Sequence, residues 1–230
     1  MTLETPIAPR FDTIRARRGS NCSKWDGMEQ QFGGLMHYNL GSCEQALADY
    51  ASAGVYGYAD SDTALRQATA WWMKTRHGGE LDPGHVLSTN GMVNAIGLAI
   101  DAFSDPGDGV VIFTPVYHAF KRVIDASGRE LIDCPLQIEN GRHVMDFAAY
   151  EQIVPAHARI VILCSPHNPG GQVWRREELR GLADFAQRHD LIVLSDEIHH
   201  DLLYPGQTHI PMAGAAPEIA DRFVMLTATT

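Results

Sequence analysis

Five short apolar stretches separated by helix-length segments constrain this chain more than any other feature. From Asp82 onward, "HVLSTN" precedes "GMVNAIGLAIDAF", "GVVIFTP" precedes "VYHAFKRVIDASG", and "RIVILCSP" leads through a loop into "REELRGLADFAQRHD"; "LIVLSDE" and "RFVMLTAT" follow. Four of the five read as nearly continuous apolar runs, the pattern of strands buried on both faces of a parallel sheet. Parallel neighbours need a crossover of helical length, so the expected fold class is α/β, a three-layer α/β/α domain with a mostly parallel sheet. Residues 175–189 form an expected helix, with Leu179, Leu182, Ala183, Phe185 and Ala186 on one face and acidic residues early. A second runs from an N-cap at Ser61 or Asp62 to a stop at Gly78. The preceding sequence is less regular, which predicts an N-terminal arm with part of a small domain over 1–55 and a large domain over 56–230.

Composition excludes several functions. Of 230 residues, 18 are Lys or Arg and 28 Asp or Glu, a net charge of −10, and no basic block occurs, so nucleic acid is not an expected partner. The cluster Arg15, Arg17 and Arg18 reads as a solvated face. Cys22, Cys43, Cys134 and Cys164 are scattered without a CxxC pair, which speaks against a disulfide scaffold or a structural zinc site. No apolar run reaches the roughly 18 residues of a membrane span, and the start lacks a signal-peptide core. The expectation is a soluble cytoplasmic protein.

Open parallel sheets bind ligands outside the carboxyl ends of their strands. The residues just past the expected strands are Thr89-Asn90-Gly91, Thr114 to Tyr117, Ser165 to Asn168, Ser195 to Glu197 and Thr227 to Thr230. In "STNGMVNAI", a glycine at a strand-to-helix junction would leave the N–H groups of Gly91, Met92 and Val93 at a helix N-terminus, an anion site or an ordinary turn. Tyr117 could stack on a planar ligand or pack into the core. Asn168, between two prolines in "SPHNPGG", is a pre-organised amide or turn chemistry. In "LSDEIHHDLLYP" two aspartates, a glutamate and two histidines crowd together, but without HExxH or HxH spacing the reading is no metal.

Taken in order, "YGY", "STNGMVNA", "TPVYHAF", "LCSPHNPGGQVW", "LSDEIHHDLLYPGQTHIP" and "LTATT" resemble the pyridoxal-phosphate (PLP) enzymes of the class I/II aminotransferase superfamily, and within it the cystathionine β-lyase-like C–S lyases. The resemblance covers most of Gly54 to Thr230. It implies that 56–230 is a PLP-binding large domain, that Asp196 pairs with the pyridine nitrogen of the cofactor, and that Asn168 and His199 serve its phenolic oxygen. It further implies that Tyr117 stacks on the ring, that Gly91, Met92 and Val93 cradle the phosphate, and that Thr227 contacts the cofactor. Tyr58 of "YGY" would reach the phosphate of a partner subunit, which implies a homodimer with a pocket shared across the interface. Glu197, His200 and Asp201 are left as structural or solvated.

The resemblance places the Schiff-base lysine immediately after Thr230, with the substrate-carboxylate arginine and a C-terminal small domain beyond it, so a longer protein is expected. "GGLMHYNLGSCEQAL" stands where lyase relatives carry a "WVADMDF"-like segment, and "NPGG" replaces the commoner "NPTG", a change that would loosen the loop. The implied activity is PLP-dependent cleavage of a cysteine thioether, cystathionine or an S-conjugated cysteine, to thiol, pyruvate and ammonia. The alternatives are an aminotransferase or a decarboxylating or deaminating enzyme on an S-substituted cysteine, and a non-catalytic scaffold if the lysine is absent.

Overall fold

The computed structural model describes residues 48–49, 51–54 and 62–228. The chain divides into two compact units, Met1–Asp60 with Thr230 and Ser61–Thr229. The second unit contains a five-stranded sheet built from β1 Gly109–Ile112, β2 Glu130–Asp133, β5 Ala158–Cys164, β6 Ile192–Asp196 and β7 Phe223–Leu226, in the order β2-β1-β5-β6-β7 with all pairs parallel. A separate antiparallel hairpin joins β3 Gln137–Glu139 to β4 Arg142–Val144.

The two-residue side-chain period of the strands builds two cores, one on each face of the sheet. Val111, Val161, Leu163 and Val193 pack on one side with Leu179, Leu182, Phe185 and Ala186 of helix α4 (Arg176–Arg188). Val110, Ile112, Ile160, Ile162 and Leu194 pack on the other with Ile96 and Ile100 of α2 (Met92–Phe103) and Phe120 and Ile124 of α3 (Ala119–Ala126). Nearly all of these side chains are fully buried, which is why the runs contain no alternating polar residues. The three-layer α/β/α arrangement follows as expected. Helix α4 also carries the predicted apolar face, and its first turn is closed by Glu178 Oε2, which accepts from the Arg175 N–H at 2.6 Å. Helix α1 (Thr63–His77) ends where Gly78 turns left-handed at φ 65°. Among the described residues no helix is long and apolar enough to cross a membrane.

Two strand assignments differ from the sequence reading. "HVLSTN" is not a strand; after a short 3-10 turn at Pro83–His85 it runs without a sheet partner among the described residues, and Leu87 is 81% exposed. Its only apolar residues, Val86 and Leu87, are adjacent, and no layer covers Leu87. The fifth strand is instead β2, "ELID", which buries only Ile132 because it lies at the sheet edge. An edge strand shows too short an apolar run to stand out in the sequence. The expected arm at 1–55 and Tyr58 fall almost wholly or wholly outside the described residues.

Candidate active site

After β2 the chain returns to place β5 on the other side of β1, so the loops leaving β1 and β5 diverge. Such a reversal opens a crevice outside the carboxyl ends of the strands. A cavity of about 420 Å³ is lined here by residues of four segments: Gly91, Met92 and Val93 at the start of α2, Tyr117 after β1, Asn168 after β5, and Asp196 and His199 at and after the end of β6. Residues far apart in the chain, Gly91 and His199 among them, thus share one wall.

Asp196 closes β6 on a ladder rung between Cys164 and Leu226, and only 4% of it is exposed. Its Oδ1 accepts from the Ile198 N–H at 3.2 Å, and no cation pairs with it among the described residues. Burial pushes its pKa up to about 6 against the pull of that hydrogen bond, and the neighbouring Glu197 charge adds to the rise. A carboxylate so placed is suited to a cationic partner from the cavity. Glu197, one residue on, is fully buried and braced: its Oε1 accepts from Ser195 Oγ at 2.8 Å and from the Met212 N–H at 3.1 Å, and its Oε2 lies 2.7 Å from His209 Nε2. The Glu197 N–H donates to Leu226 O at 2.8 Å. Of the two readings left open for it, structural holds and solvated does not.

At the start of α2, Gly91 adopts φ 84°, the left-handed region that favours glycine. Its N–H donates to Thr89 O at 3.0 Å, so it is not one of the open donors expected there. The N–H groups of Met92, Val93 and Asn94 find no acceptor among the described residues, since the first helical bond runs from Ala95 to Gly91 O. Asn94 is absent from the set expected from sequence, although counting the open N–H groups from the helix start would find it. Tyr117 meets Phe120 edge to face at 5.8 Å, so the ring is anchored in the core while it lines the cavity. Burial lowers the pKa of His199, which favours a neutral imidazole.

Residues 39–230 match the family described as Aminotransferase class I and II. The chain belongs to this family. It is 33% identical to cystathionine beta-lyase PatB of Bacillus subtilis (strain 168) over 222 residues, 92% of this chain and 57% of that protein. It is 34% identical to arginine–pyruvate transaminase AruH of Pseudomonas aeruginosa over 184 residues, 79% of this chain and 46% of that one. Its fold superposes with a TM-score of 0.80 on cystalysin from Treponema denticola, a structure that contains pyridoxal 5'-phosphate, at 32% identity over 93% of this chain and 57% of that chain. The chain therefore spans about half the length of these relatives.

Two features of this family member depart from the sequence reading. Thr227 does not line the cavity; its Oγ1 lies 3.1 Å from His200 Nδ1. The path of the chain past β7 turns its hydroxyl toward the buried imidazole. Cys164, not among the expected site residues, does line the cavity; its Sγ accepts from the Asn168 N–H at 3.3 Å, while burial and the Asp196 charge push the thiol up to about 12 and keep it neutral.

The "NPGG" loop is also not loosened. A Cβ on Gly170 would stand 2.5 Å from His167 Nδ1 and 2.8 Å from His143 Nδ1, closer than real contacts. The same loop is tied to the β3–β4 hairpin by Gln172, whose Oε1 accepts from the His143 N–H at 2.8 Å and whose Nε2 donates to His143 O at 2.7 Å. Glycine at 170 is a requirement of close packing that holds Asn168 in place. Gly170→Ala is expected to destabilise the protein by about 1–3 kcal/mol, as overpacking does, read as a drop in the urea midpoint. An unchanged midpoint would show that the two imidazoles yield freely.

Proposed function

We propose that this chain is the cofactor-binding part of a PLP-dependent C–S β-lyase that cleaves a cysteine thioether to thiol, pyruvate and ammonia, acting as a homodimer. The observation that carries the proposal is the meeting in one cavity of a buried carboxylate without a cation, an open helix N-terminus, an aromatic ring and the Asn168 side chain. These groups fit the cofactor part by part. Asp196, without a cation, suits a protonated pyridine nitrogen. The free N–H groups of Met92, Val93 and Asn94 suit a phosphate, aided by the positive end of the helix dipole. The ring of Tyr117 suits the cofactor's face, and Asn168 and neutral His199 suit its phenolic oxygen.

Bound PLP supplies an electron sink for the bond broken at Cα. The residues of this chain hold that sink in its charged form and orient it. Asp196 keeps a proton on the opposing nitrogen, because burial makes its own ionisation costly unless a cation answers it. Cys164 and Asn168 present no charge at this wall. Tyr58, on the partner subunit, is proposed to reach the phosphate.

Likeness to cystathionine beta-lyase PatB supports the lyase reading over transamination. Likeness to arginine–pyruvate transaminase AruH keeps amino transfer as the second reading. The full-length protein incubated with cystathionine or an S-alkylcysteine is expected to release pyruvate without a keto-acid acceptor. Amino transfer to 2-oxoglutarate with no pyruvate would overturn the lyase reading in favour of the second.

A further inference from the structure

Within residues 195–201 alone, no ligand spacing fits a metal. The fold supplies a ligand from 124 positions away. His77, in the last turn of α1, together with His200 and Asp201, offers three ligand atoms within 4.8 Å of one another. His77 Nε2 lies 3.1 Å from Asp201 Oδ1, and His200 Nε2 lies 3.0 Å from Asp201 Oδ2. Two ligands on a tetrahedral ion with arms of about 2.0–2.1 Å stand roughly 3.3 Å apart. Both imidazole–carboxylate pairs are already close to that separation.

The surroundings suit a bound cation. The two imidazoles meet edge to face with centroids 4.6 Å apart, so neither ring stacks over the other. His200 Nδ1 is held by Thr227 Oγ1, the kind of hydrogen bond that orients a ligating imidazole through its other nitrogen. The imidazole side chains are 6% and 3% exposed, whereas Asp201 is 28% exposed and gives an ion access from solvent. Trp72 Nε1–H donates to Asp201 Oδ2 at 2.7 Å and leaves that oxygen a second lone pair. Arg76 Nε stands 4.0 Å from Oδ1, beyond hydrogen-bonding range, with its guanidinium 5.2 Å from the Trp72 ring centroid. His209, at 5.6 Å from His77 between ring centroids, is committed to Glu197 through Nε2 and forms a wall.

We propose that His77, His200 and Asp201 bind a zinc-like divalent cation that clamps the end of α1 to the loop after β6 and, through Thr227, to the end of β7. This inference does not rest on the reaction proposed above. The test is calorimetric titration of Zn²⁺ into the full-length, cofactor-loaded protein after chelator treatment, with metal analysis after gel filtration. One zinc per chain is expected at this site, with affinity lowered at least about tenfold in Asp201→Asn, since even outer-shell changes cost that much. His77→Gln is expected to behave alike. No saturable binding, or binding unchanged in both variants, would overturn the site. If a variant fails to fold, Co²⁺ added to the wild-type protein decides: visible bands of tetrahedral nitrogen and oxygen ligation support the site, and their absence refutes it.

Discussion

Asp196→Asn is expected to lower kcat/KM of the full-length enzyme by roughly 10³-fold, within the range for loss of a group that holds charge in a catalytic step, while making the cofactor-free protein more stable at neutral pH. The two effects have one cause. Asp196 sits 4% exposed with no cation beside it among the described residues, and its pKa is raised from 3.8 to about 6. A carboxyl whose folded pKa lies above its unfolded one holds its proton longer in the native state, so stability falls as pH rises from about 4 through 6. Asparagine carries no such cost. At pH 7 the cofactor-free variant should exceed the wild type by about 2–3 kcal/mol, and the gap should close toward pH 4. Urea denaturation of both proteins across that window measures it. A gap independent of pH would remove the titration argument, and a kcat/KM within tenfold of wild type would remove Asp196 from the proposed role.

Glu197→Ala should give the largest loss of stability of any single substitution considered, about 3–5 kcal/mol, as when a buried carboxylate is removed and its several donors are left unsatisfied. Three groups lose their acceptor together: Ser195 Oγ, the Met212 N–H and His209 Nε2, with Glu197 and the His209 side chain both fully buried. Glu197→Gln keeps the shape and one acceptor oxygen and should lose less. Guanidinium or urea midpoints at constant pH decide the order. If alanine costs less than glutamine, the brace is not held by these bonds. Because Glu197 follows Asp196 directly, the alanine variant should also loosen cofactor binding, whereas Asp196→Asn leaves the fold intact.

Much of the architecture is legible in the amino-acid sequence. The apolar runs at 158–164 and 192–196 are strands for the reason inferred, that both of their faces are covered. The strand-end rule also selects residues that do line one cavity, Tyr117, Asn168 and Asp196 among them. "HVLSTN" misleads because a short apolar pair becomes a strand only where a neighbouring strand pairs with it, and Leu87 remains exposed. "ELID" is hard to see because an edge strand needs only one buried residue, Ile132. Gly170 resembles slack because nothing nearby in sequence reveals that His143 approaches it.

By itself, the sequence determined the layers, the ends of β1, β5, β6 and β7 and the helix that starts after Gly91, since side-chain period, cap residues and turns are set within about ten residues of chain. Only the tertiary structure decided which polar groups meet. His77 reaches Asp201, His209 reaches Glu197, and Thr227 turns from the cavity to His200. The physical reason is that a buried polar group must find a partner wherever the chain path provides one, and that path is set by how the two cores pack around the sheet.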